Sequence, residues 1–216
     1  MSMNIVPSSS AGGSVTVTPP YLVSGANLYG PLIALTDPTT PSWTWQNQSS
    51  ATITNVNNSL VLYTPSSAGA VNMNMRLISM PSTPFTATAL IRATCPGVSF
   101  TRFGLCFFES GTGKISSINP AAGTSLAIDY WTNATTYSST PLSINGHGLF
   151  NPTFWRLAHD GTNLTYSWSI DGNYFVPVYT HTKTTHFTAG PDKIGWFVNS
   201  NSNQPVAATL LSWTTA

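Results

Sequence analysis

Six carboxylates, Asp37, Glu109, Asp129, Asp160, Asp171 and Asp192, four histidines and two cysteines carry most of the reactive chemistry available to this 216-residue chain. Cleaving a glycosidic bond takes two carboxyl groups about 5–9.5 Å apart across one bond. On a strand, residues i and i+2 or i+4 share a face, yet no two carboxylates here have either spacing. Glu109 and Asp129 are the one pair that folding could still bring together. Asp160 and Asp171 each precede a glycine, a turn signal. His147, His159, His181 and His186 show no ligand spacing. Gly111-Thr112-Gly113-Lys114 has the outline of a phosphate loop, but it lacks the leading glycine and places Ile115 where a hydroxyl would meet magnesium; a hairpin turn accounts for it. No Gly-x-Ser-x-Gly elbow occurs. The residues therefore predict no catalytic group, no metal and no cofactor.

Aromatic side chains are the remaining candidates, because their faces accept the apolar face of a sugar ring while hydroxyl and amide groups fix its orientation. Tyr130, Trp131 and Tyr137 open a stretch ending in Asn145-Gly146-His147-Gly148 that reads as a long loop. Recognition concentrates on loops carried by rigid sheets, so Tyr130, Trp131, Tyr137 and His147 are the expected ligand-binding residues. Trp155, Trp168, Trp196 and Trp213 are assigned to the core.

Composition narrows the classes. Charged residues make up 6% of the chain, against about 25% in an ordinary domain, while 41% is hydrophobic and 12% aromatic. Ser, Thr and Asn have taken the place of charge. A net charge of +1 provides no field for phosphate or anionic lipid, so neither nucleic acid nor membrane is expected as a partner. It also provides little repulsion between copies, which favours a homo-oligomer, with a trimer among the candidates. The N-terminus has neither the basic region nor the apolar run of a secretory signal, yet the composition resembles an extracellular protein. A virion component, made in the host cytoplasm and released by lysis, reconciles the two.

Turn chemistry lays out the fold. Residues 1–41, punctuated by Pro19-Pro20, Gly30-Pro31, Asp37-Pro38 and Pro41, predict an extended arm. From 42 to 216, short runs of β-branched and aromatic residues alternate with turn residues, giving about a dozen strands of one sandwich or barrel. Asp160-Gly161 and Asp171-Gly172 predict two-residue hairpin turns. Leu164, Tyr166, Trp168 and Ile170 alternate with hydroxyl residues, as on a strand with one buried face. Pro177 marks an edge strand or bulge. Strands 86–94 and 100–108 are expected to pair around Gly97, which sets Cys106 opposite about residue 90 and leaves Cys95 and Cys106 reduced.

Trp155-Arg156-Leu157, Asp160-Gly161, Tyr166-Ser167-x-Ser169-x-Asp171-Gly172, Ile194-Gly195-x-Phe197 and Val206-Ala207 resemble the C-terminal half of concanavalin A-like, or laminin G-like, jelly rolls. Trp43-Thr44-Trp45-Gln46-Asn47-Gln48, Leu60-Val61-Leu62-Tyr63-Thr64-Pro65, Pro84 to Ala89 and Phe103 to Lys114 resemble the modules of that kind in bacteriophage tail and virion proteins. The resemblance implies an all-β sandwich of two antiparallel sheets and a non-enzymatic structural role in a tail, fibre or capsid decoration. It also implies virion partners and attachment to a host-surface glycan. A carbohydrate-binding module without a virion role and a glycan-active enzyme are the alternatives.

Overall fold

The computed structural model describes residues 35–66, 70–94, 100–121, 125–145, 154–201 and 204–216. The segment 1–34, and with it most of the expected arm, lies outside the described residues, as do Cys95 and His147. In chain order the strands are β1 (Thr44–Gln46), β2 (Thr52–Val56), β3 (Ser59–Thr64), β4 (Met73–Ser79), β5 (Phe85–Thr94), β6 (Arg102–Phe108) and β7 (Ile115–Ala121). They continue with β8 (Ser125–Asn133), β9 (Thr136–Ile144), β10 (Phe154–His159), β11 (Asn163–Ser169), β12 (Val176–Thr182), β13 (Lys193–Asn199) and β14 (Val206–Thr215). Sheet A has the order β1-β4-β13-β6-β7-β8-β9 and sheet B the order β12-β11-β10-β5-β14-β3-β2. Every pairing is antiparallel. Among the described residues no helix is long and apolar enough to cross a membrane.

The main core lies between the sheets, with Leu105, Phe107, Ile128, Ile194 and Trp196 from sheet A meeting Leu62, Trp155, Leu157, Tyr166 and Leu210 from sheet B. Trp155, Trp196 and Trp213 are buried there and Trp168 packs against its margin, as expected. Sheet A is apolar on its other face as well: Met73, Met75, Leu77, Phe197, Cys106, Phe108, Ile115 and Trp131 form a second buried cluster. That explains why β6 and β13 read as continuous apolar runs, since a strand buried on both faces loses its alternation.

Sheet A is rolled around this second cluster. Three strands separate β4 from β8, yet the Met73 N–H donates to the carbonyl of Ala134, just past β8, at 2.9 Å. Three register shifts between β8 and β9 bend that hairpin, as bulges do. Two glycines permit the close approach of strands: a Cβ on Gly195 would lie 2.0 Å from the Arg76 carbonyl oxygen, and one on Gly104 2.0 Å from that of Ile118.

Several expectations change. β9 was expected to be loop, because Thr136 to Ile144 is rich in Ser and Thr, contains Pro141 and has no apolar alternation; it is an exposed edge strand. β5 and β6 do not pair with each other. They lie in different sheets, and Cys106 is free and buried. The two Asp-Gly sites do turn the chain, but in longer loops: only the glycines, not the aspartates, have positive φ. Asp160 Oδ1 instead accepts the N–H groups of Thr162 and Asn163, and Asp171 Oδ1 accepts those of Asn173 and Tyr174. Ile170 is exposed, beyond the end of β11, and Ser169 is buried, where its Oγ accepts the N–H groups of Asp171 and Gly172. Pro177 sits on edge strand β12, beside a register shift.

Gly195→Ala should destabilise the fold by roughly 1–3 kcal/mol, the usual cost of overpacking, because the clash is with backbone. Gly111→Ala, which meets nothing within 4 Å, should leave the thermal midpoint unchanged; differential scanning calorimetry of both variants checks this.

Candidate functional site

On the rolled face of sheet A a buried polar network adjoins an open cavity. Asp129 on β8 is fully buried, where an isolated carboxylate would be strongly disfavoured. It is satisfied from three neighbours: Arg102 Nε donates to Oδ2 at 3.2 Å, Asn119 Nδ2 to Oδ2 at 3.0 Å and Thr140 Oγ1 to Oδ1 at 2.5 Å. Ser117 Oγ donates to Asn119 Oδ1 at 2.8 Å and accepts from the indole N–H of Trp131 at 3.1 Å. Thr140 commits its proton to Asp129, so Tyr137 O–H donates to Thr140 Oγ1, at 2.8 Å. One chain of hydrogen bonds thus links β6, β7, β8 and β9.

The cavity, about 470 Å³, is lined by Val71, Phe100, Arg102, Trp131, Tyr137, Thr140 and Asn201. Its size falls in the range of small-ligand sites, roughly 300–1,000 Å³. Phe100 is 58% exposed and Tyr137 45%, whereas Trp131 is only 3% exposed and meets Tyr137 edge to face, with centroids 5.4 Å apart. The site therefore combines open aromatic surface with amide, hydroxyl and guanidinium groups, and the Arg102–Asp129 pair leaves its charge balanced.

Of the four residues expected to bind ligand, Trp131 and Tyr137 line this cavity. Tyr130 does not. It follows β-strand alternation to the opposite face of β8 and enters the main core, where it stacks on His186 at 4.3 Å and its hydroxyl meets that of Tyr179 at 3.3 Å. Burial pushes its phenol above the ordinary range. The expectation of a loop fails here because β8 and β9 carry these residues on a curled hairpin. Phe100, Arg102, Thr140 and Asn201 were not singled out from sequence. Arg102, Thr140 and Asn201, lone polar residues on three separate segments, carry no local signal, although Phe100, an aromatic next to a turn, could have been weighed.

The six carboxylates all have architectural partners. Glu109 accepts the N–H groups of Thr188, Ala189 and Gly190 and the hydroxyl of Thr112. Burial alone would raise its pKa, but these donors hold it at about 2. Asp37 accepts from Thr39 and Asp192 from the Ser110 N–H; Asp160 and Asp171 close their loops. Asp129 alone is bonded to residues of the cavity lining, Arg102 and Thr140, whereas Glu109 is bound by the backbone of Thr188 to Gly190. Among the described residues no group of three metal-ligating side chains exists.

Behind the site, His186 supports β8 from the core side. Its Nε2 lies 3.1 Å from the Trp131 carbonyl, which can only accept, so Nε2 carries the proton. His159, His181 and His186 all titrate below 6.5, first because burial disfavours the imidazolium.

No known protein family matches the chain by sequence, and no characterised protein does. Its architecture does have counterparts among solved structures. A functionally unknown protein from Saccharomyces cerevisiae superposes with a TM-score of 0.59 and 12% identity, over 81% of this chain and 95% of that one. The exoplasmic/lumenal domain of VIP36, in a Ca2+/Man3GlcNAc-bound form, gives 0.57 and 10% identity, over 84% and 88%. The chain has the concanavalin A-like sandwich fold. The GH43 protein BlXynB from Bacillus licheniformis gives 0.56 and 14% identity over 79% of this chain, which spans only 36% of that protein. At these identities the likeness is one of fold.

Three outcomes follow from the network and the buried groups. Asp129→Ala leaves Arg102 without its partner and should cost about 3–5 kcal/mol, read as a lower midpoint in urea. The thermal midpoint should also fall as pH drops below 6.5, the ordinary histidine value, because the unfolded chain then binds protons that the buried imidazoles refuse. Glu109, lowered from 4.5 to about 2, stabilises the fold above pH 4.5, and that contribution is lost as pH falls towards 2. A steeper decline below 4.5 should be blunted in Glu109→Gln.

Proposed function

We propose that this domain binds a neutral glycan in the cavity of sheet A and does not cleave it. The observation that carries the reading is the pairing of two exposed aromatic rings, Phe100 and Tyr137, with Arg102, Thr140 and Asn201 in one open cavity. Sugar rings present an apolar face ringed by hydroxyls, and this lining offers a surface for each. Charge balance between Arg102 and Asp129 supports a neutral ligand over a uronic or sialic acid. The Man3GlcNAc-bound neighbour, the VIP36 domain, supports glycan recognition on this fold. The GH43 neighbour favours hydrolysis less, because a two-carboxylate mechanism finds no carboxylate in the cavity lining, and Asp129 behind it is paired.

The biological setting we propose is multivalent display: several copies of the domain on an assembly such as a bacteriophage virion, meeting host-surface glycans. Its support is the sequence resemblance to virion modules and the scarcity of charge, which lets copies approach. Many weak sites acting together raise avidity without any new contact.

A multimerised form of the protein, applied to an array of neutral, sialylated and uronic-acid oligosaccharides, should retain neutral members. Signal at background throughout, or only on acidic members, counts against the reading. Tyr137→Ala should weaken retention about five- to tenfold, while Tyr174→Ala, which alters an 85% exposed residue at the β11–β12 loop, should leave it unchanged.

A further inference from the structure

Resting on the glycan-binding reading, we infer that Phe100 is the surface on which the sugar ring stacks, and that its backbone is held in an unfavourable conformation to present it. Phe100 has φ +69°, in the left-handed region where a bulky side chain is an outlier. Among the described residues the other non-glycine positions with positive φ are Asn47, Ser49, Asn57 and Asn58, small and polar; asparagine in particular tolerates this region. Phe100 is the one large apolar residue among them, and its ring gains little from burial because 58% of the residue is exposed. Conformational cost without a packing return is the pattern found at ligand clamps.

The surroundings show what maintains it. Asn199, fully buried at the end of β13, donates its Nδ2 to the Phe100 carbonyl at 2.9 Å and accepts the Asn72 N–H at 2.8 Å. The next side chain, Thr101, is buried and donates to the Asn201 carbonyl at 3.4 Å. The backbone from the Phe100 carbonyl onward is therefore fastened while the ring stays outside. The Arg102 guanidinium carbon lies over the ring, 5.9 Å from its centroid, which leaves the other face as the stacking surface and sets a hydroxyl-binding cation across the ring from it.

The two other aromatics of the cavity serve less well. Trp131 is almost wholly buried and its N–H is engaged by Ser117, and Tyr137 is tethered through its hydroxyl to Thr140. Phe100 offers the open face, and the apolar face of a neutral pyranose is the chemistry that fits it.

The test measures cellobiose, lactose, mannobiose and chitobiose binding by calorimetry for wild type, Phe100→Gly, Phe100→Ala and Phe100→Tyr, with thermal unfolding of each. Both small variants should lose about five- to tenfold in affinity for whichever disaccharide the wild type binds, and Phe100→Tyr should retain it. Phe100→Gly, which fits positive φ, should unfold roughly 2–4 °C above Phe100→Ala, which does not. Equal binding by wild type and Phe100→Gly would overturn the stacking role while leaving the glycan reading intact. An alanine variant as stable as the glycine variant would overturn the strain. Failure of the wild type to bind any of the four would overturn the glycan reading and this inference with it.

Discussion

The carboxylate of Asp129 sits where no water reaches it, and a charge in that position is tolerated only if donors converge on it. Arg102 from β6, Asn119 from β7 and Thr140 from β9 supply them. This obligation fixes the relative positions of four strands more tightly than apolar packing could, because hydrogen bonds demand direction as well as contact. The network does not make the fold more stable than an apolar replacement would; buried ion pairs rarely do. What it provides is register on a face where Ser, Thr and Asn would otherwise leave pairing weakly specified. The cavity opens beside the network, so its polar wall is positioned by the same bonds.

Rolling of sheet A creates the place for that network. Flat, its outer face would expose Met73, Met75, Leu77 and Phe197 to water. Rolled, with Met73 bonded to Ala134 across the face, those side chains bury one another and Trp131. At roughly 25 cal/mol per Å2 of apolar surface removed from water, each such residue contributes on the order of 1.5–3 kcal/mol. The close backbone contacts at Gly104 and Gly195 are the steric condition for this curvature. Sheet B, which among the described residues carries no comparable second cluster, serves as the opposing wall of the main core.

Much of the sandwich was legible because strands carry local signals. Trp155 to Leu157, Leu164 to Trp168 and Ile194 to Phe197 announce themselves by alternation and by the turns that bound them. β9 escaped because an edge strand exposed to solvent needs no apolar alternation, and Pro141 is permitted where the outer N–H is unpaired. The placement of β6 in the sheet opposite β5 escaped because Pro96-Gly97 is a turn signal in sequence that does not say which sheet follows. The site was half legible. Trp131 and Tyr137 stand out as aromatics in a polar stretch, but adjacency in sequence grouped Tyr130 with them, although neighbours on a strand face opposite ways. Arg102, Phe100 and Asn201 join only through the pairing of β6 with β13 and the roll of the sheet, which are properties of topology rather than of any local window.

Scarcity of charge has a consequence for what the site can recognise. Each of the six carboxylates is occupied with backbone amides, hydroxyls or, for Asp129, a guanidinium that neutralises it. Arg76 and Arg156 lie over aromatic rings, at 4.7 and 3.5 Å from the centroids of Trp45 and Phe175, so cations too are engaged in packing. A chain arranged this way has little unbalanced charge to aim at a ligand. Recognition must then come from shape, from aromatic faces and from neutral donors and acceptors, and such a surface discriminates poorly against water unless the ligand brings an apolar face of its own. A pyranose ring meets that condition, and it meets it best where an aromatic ring stands clear of the core, as Phe100 does at the rim of the rolled sheet.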